Sequence, residues 1–284
     1  MPHLRTGLLF ESATGLSRFL VEAGAPPFLV GRRPPFAQRN IKLDVHTMSR
    51  QHFRVRGDDG FQIEDAESTG GTSVDDVRIG GWQPIGPGAR INSNPYSRYH
   101  TRASAGASLH DLVTGTSGPV CTAREAAAMA RDLLRALAPL HAEGRVHGNL
   151  DARHALREDT GRWITLIDGW TALDPDGMAS GDPIYCAPEV FSRNVCMPAS
   201  DLYAVGLLCF EARFGYRPFD PPDVQAHMMT KLSGAAPDWR PGERVDPCER
   251  DLYLRLLSLR PEDRGDVADI LDLVHDLQPD LRPS

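Results

Sequence analysis

Lysine is scarce in this chain, which carries only Lys42 and Lys231 although it has 31 basic residues in total. Long apolar runs are also missing, and no stretch approaches the roughly 20 apolar residues that a membrane-spanning helix needs. The five cysteines are scattered and form no CxxC pair. We therefore expect reduced thiols in the cytoplasm, no membrane association, and neither a disulfide framework nor a zinc site.

The overall composition is that of an ordinary globular protein, with 41% hydrophobic and 24% charged residues. A net charge of −7 argues against binding to nucleic acid through its phosphates. The opening residues, "MPHLRTGLLFESATG", lack the apolar stretch and cleavage site of a signal peptide. A length of 284 residues is enough for two domains.

The sequence changes character near residue 100. The earlier part has short extended runs such as "SRFLVE", "PFLVGR", "HFRVRG", "FQIEDA" and "TSVDDVRIGG", separated by turn signals such as "GDDG" and "GPG", which is typical of a β-sandwich or barrel. The segment 92–108 is polar and small, so we place the joint there, between domains 1–100 and 101–284.

The later part shows the periodicity of amphipathic helices, with a short apolar strand, "WITLID", between the first two. Ser200 is a plausible N-cap for the second helix. The apolar positions of the three predicted helices are Ala126, Ala130, Leu133, Leu137 and Leu140, then Leu202, Val205, Cys209 and Ala212, then Val267, Ile270, Leu271, Val274 and Leu277.

Three motifs of the first part, "FLVGRR", "MSRQH" and "ESTGGT", occur in order at suitable spacing. Together they resemble a forkhead-associated (FHA) domain, a β-sandwich that binds phosphothreonine, over residues 5 to 95. The resemblance implies converging donors for a phosphate dianion, to which guanidinium groups add charge and a planar fork. The implied phosphate donors are Arg32, Ser49, Arg50 and Thr69, with His52 bracing the loop and Gly31 and Gly71 allowing tight turns.

Gly70 departs from that family, which usually has an asparagine there to hold the backbone of the bound peptide. We expect Gly70 to lie beside the bound peptide. The missing asparagine side chain should alter the affinity or the register of the peptide but leave binding of the phosphate intact. The alternative is that these side chains are only a turn cluster on a solvated rim.

The motifs "GASLHDLV", "VHGNLDARHAL", "LIDGW", "GDPIYCAPEV", "ASDLYAVGLL" and "LLSLRPEDR" resemble, in order, the C-terminal lobe of a protein kinase from about residue 104. The resemblance implies that His147 and Asp201 tie the backbone of the catalytic loop. It also implies that Arg264 pairs with Glu189 of the Ala-Pro-Glu motif. The implied fold is an all-β FHA sandwich followed by a mainly α-helical kinase C-lobe, with no recognisable kinase N-lobe.

Several residues that phosphoryl transfer needs are replaced within these motifs. Asn149 stands at the position of the catalytic base, and His154 stands where an oxygen ligand for Mg²⁺ belongs. Asp168 remains, but no Gly-rich loop and no Val-Ala-Ile-Lys strand is present. We therefore predict a pseudokinase that is not an enzyme and that uses no cofactor or metal.

The predicted function is a non-catalytic, phosphothreonine-dependent signalling adaptor or scaffold, whose kinase-like lobe docks proteins. Its expected partner is a phosphothreonine-containing protein, either a kinase or a kinase substrate. Phospho-Thr171, with Asp174 three residues later, is a candidate ligand for self-association. One alternative is an atypical phosphotransferase or nucleotide-binding regulator that uses Asp168 and Asp151. Another is a structural subunit whose sandwich no longer binds phosphate.

Overall fold

The structure, a computed structural model, describes residues 4–32, 41–42, 48–94, 97–116, 118–166, 182–221 and 223–277. Its Cα packing divides into two compact units. One is Leu4–Gly106, and the other comprises Ala107–Thr165 and the described residues from 182 onward. The functional division at residue 100 and the absence of a kinase N-lobe stay predictions.

The first unit is a β-sandwich, one of the two folds that the short extended runs predicted. One sheet has the strand order β2-β1-β11-β10-β7-β8, and the other has the order β4-β3-β5-β6-β9. Apolar residues of both sheets share one core, in which the Phe10 and Phe19 rings stack at 4.7 Å. The strands are β1 Arg5–Ser12, β2 Arg18–Glu22, β3 Phe28–Gly31, β4 Ile41–Lys42, β5 Phe53–Arg56, β6 Gln62–Asp65, β7 Thr72–Val74, β8 Val77–Ile79, β9 Gln83–Pro84, β10 Arg90–Asn94 and β11 Ser97–Ser108.

Strand β11, of 12 residues, fills most of the segment 92–108 where the joint was predicted, and the division between the two units falls inside that segment, between Gly106 and Ala107. Its small polar residues satisfy the pattern of a strand with one buried face, since Tyr99 and Thr101 are buried while Arg98 and His100 are exposed. The Thr101 hydroxyl donates to the carbonyl oxygens of Gly86 and Ala89, at 2.7 and 3.1 Å. Hydrogen bonding thus lets a polar segment lie inside the sandwich.

The second unit is built mainly from helices, with one antiparallel hairpin of β12 and β13. Strand β13 lies in the predicted "WITLID" segment. Helix α2 packs against α4 and α7. The elements are α1 Leu109–Thr114, α2 Ala123–Ala142, β12 Ala155–Glu158, β13 Trp163–Thr165, α3 Pro188–Arg193, α4 Pro198–Phe214, α5 Val224–Leu232, α6 Pro247–Leu256, a 3-10 helix at Pro261–Arg264, and α7 Val267–Asp276.

Helices α2 and α7 bury the faces that their periodicity predicted. Helix α2 begins with a capping box, in which the Thr122 side chain accepts from the Glu125 N–H and the Glu125 side chain accepts from the Thr122 N–H. The N-cap predicted for α4 is wrong, because α4 begins at Pro198 and Ser200 lies inside its first turn. Proline suits that first position, since its fixed φ matches the helix.

None of the helices in the described ranges is long and apolar enough to cross a membrane. All five cysteines are free thiols, and Cys121 and Cys209 are buried.

Candidate functional site

The end of β3 and the following 48–52 loop hold the first predicted donors together. The backbone N–H of Arg32 donates to the Ser49 carbonyl at 3.0 Å. The Nε of Arg32 donates to the Met48 carbonyl at 3.2 Å, which fixes the base of the guanidinium. Arg50 is exposed and makes no ion pair with any described residue. Two positive side chains therefore flank Ser49.

His52 links this loop to the 65–72 loop from inside the protein. Its ring is fully buried, Nδ1 accepts from the Ser49 N–H at 3.1 Å, and Nε2 lies 3.2 Å from the Gly71 carbonyl oxygen. This arrangement requires the proton on Nε2, which donates to Gly71. Burial lowers the pKa of His52, so the neutral form persists. The predicted bracing position thus joins two loops.

The same two loops meet again at the surface. The Ser49 hydroxyl oxygen accepts from the Thr69 N–H at 3.0 Å, while Thr69 and Gly70 are exposed. The structure therefore brings Arg32, Ser49 and Thr69 to one edge of the sandwich, with Arg50 and Gly70 beside them. An anion at this edge would meet guanidinium and hydroxyl donors from separate loops, which is the arrangement that charge-assisted binding of a dianion requires.

Two residues that the sequence analysis missed organise the 65–72 loop. The Asp65 carboxylate accepts from the Ser68 hydroxyl and the Thr72 hydroxyl, both at 2.7 Å, and the Ser68 oxygen accepts from the Gly71 N–H at 2.9 Å. Burial acts to raise the pKa of Asp65, but the bonds from Thr72 and Ser68 outweigh it and lower the pKa. The Asp-x-x-Ser spacing was the available signal, because such side chains bond backbone groups in turns.

The two predicted glycines are required for different reasons. A Cβ on Gly31 would lie 2.4 Å from the Arg50 carbonyl oxygen, so only glycine lets the 48–52 loop pass this close to β3. Gly71 has a φ of +74°, in the left-handed region that other residues rarely adopt.

In the second unit, Asp201 of α4 holds the segment that resembles a catalytic loop. Its carboxylate accepts from the backbone N–H groups of His147 and Gly148, at 2.9 and 2.8 Å. The Nε2 of His141 lies 2.8 Å from the same carboxylate. Asp201 and His147 are both buried, and the structure brings them together as the motifs implied.

Asp151 and His154 are joined within that loop. The Oδ1 of Asp151 lies 2.9 Å from His154 Nδ1 and also accepts from the backbone N–H groups of Arg153 and His154, at 2.7 and 3.1 Å. Burial acts to raise the pKa of Asp151, but these contacts with His154 and Arg153 outweigh it and lower the pKa. Asp151 is therefore an ionised carboxylate at neutral pH, and the ring at the predicted metal-ligand position is engaged with it.

A cavity of ≈ 20 Å³, with room for about one water molecule, lies beside this loop. Its lining comes from the loop, from the segment before α3 and from α4. Asn149 and three carboxylate residues, Asp151, Asp182 and Asp201, are part of that lining. All the described bonds to Asp151 go to Oδ1, whereas both oxygens of Asp201 are used.

Glu189 and Arg264 form a buried bidentate ion pair. Nη1 and Nη2 of Arg264 lie 2.7 and 2.9 Å from Oε1 and Oε2 of Glu189, and both residues are almost fully buried. The Ser200 hydroxyl donates to Glu189 at 2.7 Å, and Arg264 also donates to the carbonyls of Ala199 and Ser258. The pair therefore ties α3 to α4 and to the 3-10 helix.

Lys231 of α5 holds the 182–186 segment and was not predicted to have a role. Its Nζ donates to the carbonyls of Ile184 and Cys186, at 2.6 and 2.8 Å, and the side chain is 2% exposed. His227 lies 3.2 Å from the same Ile184 carbonyl. The i, i+4 spacing of His227 and Lys231 on one helix face was the only sequence signal.

Three predicted residues, Asp168, Thr171 and Asp174, lie outside the described residues. Within the described ranges, no cluster of three or more His, Cys, Asp or Glu side chains is arranged to hold a metal ion.

Comparisons with known proteins match both units. The family model described as "Protein kinase domain" matches residues 98–274, and the model described as "FHA domain" matches residues 28–92. The chain is 29% identical over 193 residues to serine/threonine-protein kinase pkn2 of Myxococcus xanthus. The aligned region covers 60% of this chain and only 22% of that relative.

These matches overturn the prediction that the chain is not an enzyme, since they point to a kinase enzyme. That prediction rested on the replacements at Asn149 and His154 and on the missing Gly-rich loop and Val-Ala-Ile-Lys strand, and it left Asp151 to an alternative. The cavity beside the loop is lined by three carboxylates, and Asp151 among them is ionised.

Proposed function

We propose that this chain, which belongs to the protein kinase domain family and also contains an FHA domain, is a signalling kinase directed to its targets by phosphothreonine. Its FHA domain binds a phosphothreonine-containing protein, either a kinase or a kinase substrate. Its kinase domain transfers a phosphoryl group to a hydroxyl of a bound protein.

The joined loops around Ser49 carry the first half of this proposal. Arg32 and Arg50 supply positive charge beside Ser49, and the Ser49 oxygen is already satisfied by the Thr69 N–H, so its hydroxyl hydrogen is free to be donated. His52 holds the loops in this arrangement before any ligand arrives. A preorganised set of donors loses little entropy on binding.

Asp151 carries the second half. It is a buried carboxylate with a lowered pKa on the loop that matches the kinase motif, and its Oδ2 is not used by any described bond. We propose that this oxygen orients the acceptor hydroxyl and accepts its proton, while the hydroxyl oxygen bonds to the transferred phosphorus and the bond from that phosphorus to its donor's oxygen breaks. A bound nucleotide would supply the phosphoryl group, and a bound metal ion would neutralise its charge.

A binding experiment tests the FHA half. A phosphothreonine peptide library screened against the intact chain should yield ligands whose affinity falls at least about tenfold in Arg32→Ala, because a charge-assisted bond to the dianion is lost. Arg54→Ala is the matched control, since Arg54 lies on β5 and pairs with Glu64 at 2.8 Å. Equal binding of phosphorylated and unphosphorylated peptides would instead favour a sandwich that does not read phosphate.

The chain spans about a fifth of its curated relative, so the activity, substrates and partners of the whole protein belong to this proposal. Protein docking by the kinase unit, cytoplasmic location, the absence of nucleic-acid binding and self-association through Thr171 stay predictions.

A further inference from the structure

A cleft of ≈ 330 Å³ opens beside the Gly70–Gly71 turn of the sandwich. Arg78 and Arg98 line it together with Ser73 and Asn92. None of the proposed phosphate donors lines it.

Strand register explains how these four residues meet. Arg78 lies opposite Ser73, Ser73 opposite Asn92, and Asn92 opposite Arg98, across β8, β7, β10 and β11. Residues that are directly opposite in adjacent strands point to the same face of a sheet. Their chain neighbours Thr72, Ile91 and Tyr99 are buried, so the row of four lies on the face away from the core.

The row has the form of an anion cradle. Two long, positively charged arginine side chains stand at its ends, and two short polar side chains lie between them. Three inter-strand spacings of about 4.8 Å separate β8 from β11, so the Cα atoms of Arg78 and Arg98 are about 14 Å apart. Guanidinium groups reaching inward from both sides can then meet one anionic group between them.

The positive charge of this row is not neutralised. Arg78 and Arg98 are exposed, and neither forms an ion pair with any described residue. Asp76 also lines the cleft, but it is engaged by Arg90 at 2.9 Å and by the Asn92 amide at 3.3 Å. Arg78 and Arg98 therefore present two positive charges on one face of a sheet, in a chain with a net charge of −7.

We propose that the Arg78–Arg98 cleft binds a second anionic group, a carboxylate or a phosphate, on the same peptide whose phosphothreonine occupies the Arg32–Ser49 edge. This inference rests on the proposed function of the FHA domain. Gly70 lies between the two sites and has no side chain to separate them. Charge capture in the cleft thereby supplies peptide contacts where the family's asparagine is missing.

The test uses peptide pools with one fixed phosphothreonine. In each pool one further position, from four residues before to four after, is fixed as Glu, phosphoserine or Gln, and binding to the intact chain is measured by calorimetry. At one or more positions, Glu or phosphoserine should bind at least about tenfold more tightly than Gln at low salt. A preference for both indicates a general anion site, and a preference for phosphoserine alone indicates a second phosphate site.

Variants assign the preference to the cleft. Arg78→Gln with Arg98→Gln should remove the preference while leaving the affinity of the Gln pools unchanged, and Arg54→Ala should leave both unchanged. Equal binding of all pools, or a preference that survives the double variant, overturns this inference and leaves the proposed function standing. Failure of every phosphorylated pool to bind overturns both.

Discussion

At the scale of single residues, the second unit depends on charges that are buried and satisfied. Glu189 with Arg264 is one such case, and Lys231 with its carbonyl partners is another. Burying a charge is costly unless its partners are in place, so each of these residues is sensitive to the removal of a partner.

Arg264→Ala should destabilise the second unit by about 3–5 kcal/mol, because Glu189 would be left charged and unpaired in the interior. Calorimetric melting of the intact chain measures the loss, and Arg260→Ala is the matched control, since Arg260 is exposed. Equal melting temperatures of Arg264→Ala and wild type would mean that the pair has no structural role.

Lys231 should make stability depend on pH. Burial lowers its pKa from 10.5 to about 7, although Cys186 and Asp182 act to raise it. Between these two values the unfolded chain binds more protons than the folded chain, so this contribution to the free energy of unfolding rises with pH, by at most about 1.4 kcal/mol per pH unit.

The measurement is the free energy of unfolding of wild type minus that of Lys231→Met, followed from pH 6.5 to 9. The difference should rise with pH. Burial raises the pKa values of the buried thiols, but the same thiols are present in both proteins, so their contributions to the difference largely cancel. A flat difference would show that Lys231 stays protonated throughout.

At the scale of elements, the sequence predicted those whose apolar pattern was regular and missed those held by polar groups. The faces of α2 and α7 follow from residue spacing alone, because burial of one apolar stripe decides them. Strand β11 was missed because Thr101, Ser97 and Ser104 suggest a loop. Hydrogen bonds or packing offset the cost of burying these polar side chains, and neither is visible in the sequence. The donors at Arg32 and Ser49 were found by motif. Asp65 and Lys231 had only a spacing to Ser68 and to His227 as a signal, and a spacing alone does not specify the contacts that they make.

Thr101→Val should destabilise the sandwich by about 1–3 kcal/mol, because the shape is kept while the Gly86 and Ala89 carbonyls lose a buried donor. Denaturant unfolding, followed by a probe in the sandwich, measures the change. Ala103→Val is the control on the same strand, since Ala103 is exposed and valine favours strands. A cost for Thr101→Val no larger than that of the control would exclude a role for these bonds.

At the scale of the whole molecule, a binding domain and a kinase domain on one chain should act together. Binding of one segment of a substrate raises the effective concentration of its other segments near the same chain. A substrate that already carries phosphothreonine should therefore be phosphorylated at least about tenfold faster, at low concentration, than the same substrate with threonine.

Phosphate incorporation into paired peptides measures this advantage. Arg32→Ala should remove the advantage but retain the basal rate, whereas Asp151→Asn should abolish both, and Asp159→Asn, an exposed site, should change neither. Full activity of Asp151→Asn would exclude Asp151 as the residue that orients the hydroxyl.

The buried position of Lys231 also determines how the chain responds to amine chemistry. Between residues 98 and 274 it is the only lysine, and it is 2% exposed. Amine-reactive cross-linkers and labels will therefore leave this segment unmodified while it is folded. Any labelling of Lys231 reports that α5 has released the Ile184 and Cys186 carbonyls, which makes a single reagent a direct probe of opening at the 182–186 segment.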